Sequence, residues 1–359
     1  GRVGGSEEYL ARQLVGLAAV APEVCARLVV PPGFAAAHPE LDDRFELVDG
    51  GAMTRYRGVR LLAESLMGDR ALADVDVVHH AGGTLPLRRG TLPTLLTVHD
   101  VQYLAYPQHF SFARRTYLGR RLPPSVAGAT AIAVPSGFVA STLIDAFDVD
   151  PARIVIVPHG YDPPARSSLP PAHELRRRYT LGDRRVLVYP AITHPHKGHR
   201  LLVGLLAGRW TDPDIVLVLL GAAGAADDTV SAAIAEFGVD DRVVRPGRVP
   251  AADRDGLIAL AEALVFPSEY EGFGAPVLEA MALGTPVVCS DRGALPEVAG
   301  DAAIVLPLTT DAWSGALTTV GATRDELVAR GLERAKRFTV DASGTALAAA
   351  YRLASGTVV

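Results

Sequence analysis

Residues 266–300 read FPSEYEGFGAPVLEAMALGTPVVCSDRGALPEVAG, and this stretch decides the fold. An apolar strand ends at Phe266 and leads into a glycine-rich loop. The helix that follows has Pro276 in its first turn and ends at Gly284, after which 286–289 reads as another strand. A strand, a loop and a helix in this order form the repeating unit of a parallel sheet.

The same alternation extends outward in both directions. Short runs rich in β-branched residues recur at spacings that leave room for a helix between them, which indicates parallel sheets covered on both faces. The runs fall into two sets, so the sequence predicts an α/β protein with two doubly wound, Rossmann-like domains. The first set is 27–30, 45–48, 75–79, 94–98, 130–134 and 153–157, and the second is 185–189, 215–220, 242–245, 263–266, 286–289 and 303–306.

A proline-rich segment separates the two sets. Residues 158–173 hold five prolines together with Gly, Asp and Ser, a composition typical of a linker. We therefore expect an N-terminal domain over 1–165 and a C-terminal domain over 166–341, with 342–359 forming a helix that packs back on the first domain. Residue 1 is Gly and the opening reads as a loop running into a helix, which leaves room for a strand upstream.

Composition excludes several classes of protein. The 359 residues carry a formal charge of −5 and are 49% hydrophobic, which suits two cores and does not suit nucleic-acid binding. Cys25 and Cys289 are the only cysteines, so a disulfide framework and a four-cysteine zinc site are excluded and a reducing compartment is expected. Apolar stretches such as 215–226 are shorter than the roughly 18 residues of a membrane span. We therefore expect a cytoplasmic protein.

The loop and helix after Phe266 carry groups suited to phosphate and sugar. Gly272 and Gly274 let the backbone approach a ligand closely, and the N–H groups of the first helical turn attract phosphate oxygens. Glu271 and Glu279 can accept hydrogen bonds from vicinal hydroxyl groups, one from a ribose and the other from a second sugar. The structural alternative is that Glu271 caps the helix and Glu279 is solvated.

Lysine is rare in this chain and therefore informative. It occurs only at Lys197 and Lys336, and the other residues among the 35 Lys and Arg are all arginine. Lys197 lies in P-H-K-G-H at 195–199, after the predicted strand 185–189, where an ammonium group can neutralise charge on a leaving phosphate. The alternative is an ordinary surface lysine.

Histidines accumulate where the predicted strands end. Doubly wound domains bind ligands there, although polar residues also begin there for purely structural reasons. The spacing within 194–199 permits a metal site, but Lys197 in its middle repels a cation, so we predict no metal. Asp-x-Asp pairs elsewhere are interpreted as turn and cap residues. The histidines are His79, His80, His99, His159, His194, His196 and His199, and the pairs are Asp74/Asp76, Asp148/Asp150, Asp212/Asp214 and Asp253/Asp255.

Several segments together match the signature of one family. The string E-G-F-G-A-P-V-L-E-A-M-A-L-G-T-P-V-V, followed by S-D and P-E-V-A-G-D-A-A, resembles that of the retaining, family 4 nucleotide-sugar glycosyltransferases of GT-B fold. The resemblance implies two Rossmann-like domains facing each other across a cleft, a nucleoside-diphosphate sugar as co-substrate and no cofactor. Further matching segments stand in the family's order at 79–86, 97–100, 134–136, 157–160 and 195–199.

The resemblance also implies roles for individual residues. Glu271 would hold donor-sugar hydroxyls, Glu279 would bind the ribose and Lys197 would face the diphosphate. His99 would reach the donor sugar from the first domain, where an imidazole can donate a hydrogen bond without acting as a nucleophile. The remaining implied positions are Thr193, His196, Arg248, Gly272, Phe273, Gly274 and Ala275 for the donor, and Gly4 and Gly5 as a glycine loop that meets the diphosphate or the acceptor.

The chain departs from the family at one position. The family often places an arginine six residues before Lys197, and this chain has Ala191 there. The missing phosphate contact could come from Thr193, His196, Arg200 or Arg248.

Residues 103–122 form an unusual segment, because they mix aromatic side chains with arginine and contain no acidic residue. A basic, aromatic helix can receive an acceptor or rest on an anionic membrane surface, which suits a lipid-linked acceptor. The alternative is a helix that packs its aromatic side chains inward. The arginines are Arg114, Arg115, Arg120 and Arg121, and Arg55, Arg57 and Arg60 would extend the patch.

The sequence therefore predicts a bacterial, metal-independent, retaining glycosyltransferase of polysaccharide or glycolipid synthesis. It would move a hexose, in the first instance mannose or a related deoxyhexose, from a nucleotide sugar to a hydroxyl group of a saccharide or glycolipid acceptor. Two other classes stay open: a non-catalytic nucleotide-sugar-binding protein of the same fold, and an epimerase or phosphorylase built on similar paired domains. A dehydrogenase is disfavoured because no complete G-x-G-x-x-G follows a predicted strand.

Overall fold

Each apolar run that the sequence analysis predicted to be a strand forms one. All strand pairs among the described residues are parallel. The computed structural model describes residues 5–41, 43–51, 74–88 and 90–356. Within these residues the predicted α/β class, with two sets of parallel strands, is confirmed.

The chain forms two units. The first comprises Gly1–Gly160 and Phe338–Val359, and the second comprises Tyr161–Arg337. The chain thus enters the second unit at 160/161, a few residues before the boundary expected from the sequence.

The elements of the first unit are α1 (Gly5–Val20), β1 (Arg27–Val30), α2 (Phe34–Ala37), β2 (Glu46–Asp49), β3 (Val78–His80), β4 (Thr94–Thr97), α3 (Gln102–Ala105), α4 (Phe112–Gly128), β5 (Ala131–Val134), α5 (Gly137–Phe147), β6 (Ile154–Ile156) and, from the end of the chain, α14 (Val340–Ser355). Those of the second unit are α6 (Ala172–Arg178), β7 (Arg185–Pro190), α7 (His199–Gly208), β8 (Ile215–Leu220), α8 (Asp227–Phe237), β9 (Val243–Gly247), α9 (Ala251–Leu260), β10 (Ala263–Phe266), α10 (Ala275–Ala282), β11 (Val287–Ser290), α11 (Leu295–Ala299), β12 (Ile304–Leu306), α12 (Thr310–Ser314) and α13 (Ala316–Ala335).

The first unit buries both faces of the sheet β3-β4-β5-β6. Successive side chains of a strand point to opposite faces. Leu95 and Ala131 accordingly pack in one apolar cluster with α1 and α14, whereas Leu96 and Ile132 pack in another with α4 and α5. Strands β1 and β2 form a separate parallel pair.

The second unit has a six-stranded sheet in the order β12-β11-β10-β7-β8-β9. Strands β7, β8, β10 and β11 are buried almost along their whole length, which explains their continuous apolar sequences. Going along the chain, the sheet grows from β7 towards β9 and then restarts on the other side of β7 with β10. This reversal between β7 and β10 is the feature that positions the site.

Helices α1 and α14 cross with their backbones in contact. A Cβ atom added at Gly16 would lie 2.0 Å from the carbonyl oxygen of Val340, and one added at Gly344 would lie 2.2 Å from the carbonyl carbon of Gly16. Residues larger than glycine do not fit here, so two glycines far apart in sequence fix the docking of the C-terminal helix.

We expect Gly344→Ala to lower the free energy of unfolding by about 1–3 kcal/mol, because the added methyl group forces the two helices apart. Gly321→Ala is the matched control: it lies in α13 with nothing within 4 Å of an added Cβ, so helix propensity should raise stability by up to about 1 kcal/mol. Urea unfolding followed by circular dichroism measures both. Equal effects of the two substitutions would contradict the close crossing.

Candidate functional site

The site lies outside the carboxyl ends of β7 and β10. In an open parallel sheet, the loops on either side of a reversal of strand order diverge and leave a crevice for a ligand. Leu187 and Val188 of β7 pair with Ala263 and Leu264 of β10, so the loops 191–198 and 267–274 begin side by side. Most of the donor-binding residues predicted from the sequence lie on these two loops.

Lys197 and Glu271 form an ion pair at this place. Lys197 Nζ donates to Glu271 Oε1 at 2.5 Å, and both side chains are mostly shielded from solvent. The ammonium group also lies 5.8 Å from the centroid of the Phe266 ring. The structure thus joins two residues that are 74 positions apart in sequence.

The backbone of the two loops is tied together around this pair. Residues Pro195–Lys197 form a 3-10 turn, and the buried Tyr189 hydroxyl donates to the Lys197 carbonyl oxygen at 2.6 Å. Glu269 N–H donates to the His196 carbonyl oxygen at 2.7 Å. Gly198 has a φ of 68°, and a Cβ there would lie 2.2 Å from the Pro267 carbonyl oxygen. Only glycine allows this approach, which brings Lys197 over the neighbouring loop.

The end of loop 267–274 leads directly into α10. Gly274 has a φ of 91° and precedes the first helical residue, Ala275, while the side chain of Phe273 is buried. The first-turn N–H groups of an α-helix have no intrahelical acceptor and carry partial positive charge. The segment therefore offers backbone donors at the end of β10.

Thr193 holds the neighbouring loop in place. Its hydroxyl donates to Asp227 Oδ1 at 2.8 Å and accepts from Gly224 N–H at 2.7 Å. The side chain is buried, so Thr193 orders the backbone of 222–227 in this structure.

The basic residues that could supply the phosphate contact missing at Ala191 lie in different surroundings. Arg200 pairs with Glu236 at 3.0 Å, so its guanidinium group is committed to α8. Arg248 is exposed and directly follows β9, and His196 is half-buried with its ring stacked on that of His194 at 5.9 Å.

The histidines of 194–199 do not converge. Within the described residues, no group of three or more His, Cys, Asp or Glu side chains is arranged to hold a metal ion. His199 is instead buried at the start of α7, with its ring 4.7 Å from that of Tyr189. Burial, reinforced by the charge of Lys197, lowers the pKa of His199 to about 4. The ring is therefore neutral at physiological pH.

Glu279 is a buried residue of α10, so the alternative of a solvated helix residue is wrong. Arg254 Nη2 lies 3.8 Å from Glu279 Oε1 and 3.0 Å from Asp255 Oδ1. Asp253 lies in the first turn of α9, at the helix edge as expected, but neither Asp253 nor Asp255 caps the helix and both are buried. Arg254 was missed and Asp255 was given no functional role, because an Asp-Arg-Asp run in a short helix is ordinary surface composition.

In the first unit, His99 lies in an aromatic cluster. Its Nε2 is 3.2 Å from the carbonyl oxygen of Ala81 and its ring is 5.4 Å from that of Tyr9. Because a carbonyl oxygen only accepts, Nε2 is the donor in this contact. Tyr9 also stacks on His159 at 3.9 Å and donates to the Val157 carbonyl oxygen at 2.6 Å.

His79 links the strands of the first unit to the C-terminal helix. Its ring nitrogens lie 2.9 Å from the Tyr351 hydroxyl and 2.7 Å from Thr97 Oγ1. Burial lowers the pKa of His79 to about 3. Tyr9 and Tyr351 carried no sequence signal, because their contacts span distant parts of the chain. Gly4 and the arginines at 55, 57 and 60 lie outside the described residues, and Gly5 is the first residue of α1.

The fold is that of the GT-B glycosyltransferases. Residues 3–164 match the model of Glycosyltransferase Family 4, and residues 172–332 match that of Glycosyl transferases group 1. The chain is 32% identical over 289 residues to O-antigen chain mannosyltransferase B of Escherichia coli, covering 77% of this chain and 74% of that protein. This chain belongs to glycosyltransferase family 4.

Other relatives and solved structures agree with this assignment. The chain is 32% identical over 273 residues to MMP alpha-(1->4)-mannosyltransferase of Mycolicibacterium hassiacum, covering 71% of this chain and 64% of that protein. Anabaena Alr3699/HepE, solved in complex with UDP-glucose, superposes with a TM-score of 0.75 at 18% identity over 98% of this chain and 96% of its own. WaaG, a glycosyltransferase involved in lipopolysaccharide biosynthesis, superposes with a TM-score of 0.69 at 17% identity over 99% and 97%. The solved structures show the fold.

We expect the free energy of unfolding to decrease as the pH is lowered from about 6.5 to about 4, in part because of His199. In this range the unfolded histidine binds a proton and the folded one does not, so protonation favours unfolding. His199→Gln should therefore make the urea midpoint less sensitive to a change from about pH 7 to about pH 5. His173→Gln, at an exposed histidine, is the control, and an unchanged pH sensitivity in the His199 variant would refute the assignment.

Proposed function

We propose that this protein is a retaining glycosyltransferase that moves a hexose from a nucleoside-diphosphate sugar to a hydroxyl group of a saccharide or lipid-linked acceptor. Mannose or a related deoxyhexose is the sugar that we propose first. The observation that carries the proposal is the shielded Lys197–Glu271 pair at the reversal of strand order in the second unit. The sugar is supported by two relatives that are named as mannosyltransferases.

The ion pair suggests how a donor would bind. A diphosphate would attract the Lys197 ammonium group, which would release the Glu271 carboxylate to accept hydrogen bonds from sugar hydroxyls. Binding would thus exchange one charge-assisted contact for two. The N–H groups of 272–275 would add neutral donors to the phosphate oxygens.

The transfer step needs charge stabilisation more than a protein nucleophile. The bond between the anomeric carbon and the phosphate oxygen breaks, and the acceptor oxygen forms its bond to the same face of that carbon. The acceptor proton passes to the leaving phosphate, which departs as the nucleoside diphosphate. Lys197 and the positive end of α10 stabilise the charge that develops on that phosphate, the role that a metal ion has in other transferases.

In the first unit we propose His99 as the contact to the donor sugar. Its Nε2 lies 3.2 Å from the Ala81 carbonyl oxygen, a contact that would orient the ring beside the sugar. Thr193 we assign to holding the loop beside the donor.

We expect Glu279→Ala chiefly to weaken nucleotide binding and Glu271→Ala chiefly to lower kcat, by about 100-fold or more. Calorimetry with UDP, GDP and ADP, and turnover with their common sugars in the presence of EDTA, measure both effects. Glu262→Ala is the matched control, because it breaks an ion pair with Arg185 at the amino ends of the same strands. Equal changes in kcat and KM for both site variants would count against these roles, and activity that is abolished by EDTA would count against the metal-independent step.

We further propose that the surface around the start of α4 contacts an anionic membrane. Phe112 is 75% exposed and Leu104 is 43% exposed, whereas Tyr103 is buried. Arg114 and Arg115 lie 5.2 Å and 5.9 Å from the centroids of the Phe110 and Phe112 rings. The segment thus presents apolar and cationic groups together, and only part of its aromatic content packs inward. No helix within the described residues is long and apolar enough to span a membrane.

Vesicles of phosphatidylglycerol should sediment the protein, and vesicles of phosphatidylcholine should not. Phe112→Ser and Arg115→Glu should each reduce binding several-fold, because they remove apolar area and positive charge, and added salt should weaken binding further. Arg177→Glu, at an exposed arginine of α6, controls for net charge. Binding that is equal for both lipids, or unchanged in the Phe112 and Arg115 variants, would refute the contact.

A further inference from the structure

Two buried carboxylates lie beside one guanidinium group in the second unit. Glu279 is 5% exposed and Asp255 is 7% exposed. Arg254 lies between them, with Nη2 at 3.0 Å from Asp255 Oδ1 and 3.8 Å from Glu279 Oε1. One cation therefore serves two anions that are removed from water.

Such a cluster is costly unless its charges are compensated. An uncompensated buried carboxylate is strongly destabilising, and removal of one partner from a buried ion pair leaves that cost unbalanced. The Tyr161 hydroxyl adds to the compensation by donating to Asp255 Oδ2 at 3.1 Å. Burial and the two carboxylates raise the pKa of Tyr161, so that its hydroxyl keeps its proton and remains a donor.

The two acidic residues make different contacts with Arg254. Asp255 receives Arg254 through Nε as well as Nη2, so it anchors the guanidinium group from the same helix, α9. Glu279 comes from α10 and lies near the same Nη2 atom, at a longer distance. Tyr161 thus holds Asp255, Asp255 holds Arg254, and Arg254 lies against Glu279.

The other acidic residue of α9, Asp253, belongs to a different network from that of Asp255. Asp253 is 4% exposed and accepts hydrogen bonds from Arg178 and Tyr179 at 2.6 Å and 2.5 Å. These partners lie at the end of α6, so Asp253 ties α9 to α6. It provides an internal comparison with equal charge, burial and helix.

We propose that Arg254 is the positioning residue for Glu279. It keeps this carboxylate oriented so that it can accept hydrogen bonds from the ribose hydroxyls of the nucleotide, and Asp255, which Tyr161 holds, fixes Arg254 for that purpose. The proposal rests on the ribose-binding role assigned to Glu279 under the proposed function. It makes ribose recognition depend on a residue that need not touch the nucleotide.

The test compares a nucleoside diphosphate with its 2′,3′-dideoxy analogue, using whichever of UDP, GDP and ADP binds most tightly. The ratio of the two dissociation constants reports recognition of the ribose hydroxyls and is insensitive to a general loss of stability. We expect a ratio of about 10 or more in the wild type, because hydrogen bonds to a charged group are lost in the analogue. In Arg254→Met the ratio should fall to within about 3-fold of unity, and Arg254→Lys should restore part of it.

Turnover supplies a second readout. Arg254→Met should raise KM for the donor and leave kcat at saturating donor within about 3-fold, because Lys197 and Glu271 are untouched. Asp253→Asn is the matched control and should leave the dissociation-constant ratio unchanged even if its thermal unfolding temperature falls. If Arg254→Met does not fold, Arg254→Lys and Asp255→Asn are read in the same way, with a lowered ratio expected in each.

The outcomes distinguish the positioning role of Arg254 from the ribose-binding role of Glu279. If Glu279→Ala loses ribose discrimination and the Arg254 variants keep it, the positioning role is overturned and the proposed function stands. If Glu279→Ala keeps the discrimination, the ribose-binding role itself is wrong and the positioning role falls with it. If Asp253→Asn lowers the ratio as much as Arg254→Met does, the effect belongs to α9 as a whole and the specific role of Arg254 is overturned.

Discussion

The reversal of strand order between β7 and β10 is the constraint on which the second unit depends. Two parallel strands that lie side by side but are far apart in the chain send their following loops in different directions. One loop contains Lys197 and the other contains Glu271, and the glycine at 198 lets them meet. The ion pair, the 3-10 turn at 195–197 and the helix start at Ala275 all follow from this one junction.

Charge in this unit is buried in pairs, and each pair has a different consequence. The contact of Lys197 with Glu271 is a single ammonium–carboxylate contact, which an incoming phosphate can replace. The contact of Arg254 with Asp255 uses two guanidinium nitrogens and is better suited to holding a fixed geometry. The chain uses its rare lysine where we propose that charge has to be exchanged, and arginine where we propose that charge has to stay.

Neutral polar rings link the buried elements of the first unit. His79 bridges Thr97 and Tyr351, and Tyr9 stacks on His159 beside His99. Burial lowers the pKa of His79 and of His159, so these rings act as hydrogen-bonding and packing groups without charge at neutral pH. Because Tyr351 belongs to the C-terminal helix, the last element of the chain helps to order the first unit, and the Gly16–Gly344 crossing makes that docking close.

The sequence by itself determined the elements of the fold, because apolar periodicity is a local property: each of the predicted runs became a strand. It also placed Lys197, Glu271 and the glycines of 272–274 after strand ends, since the motif residues lie close together in the chain. Tertiary structure alone decided which strand ends are neighbours, and so which charges meet. Arg254, Asp255 and Tyr161 became visible only there, because nothing in local sequence distinguishes an arginine on a surface helix from one that lies between two buried carboxylates.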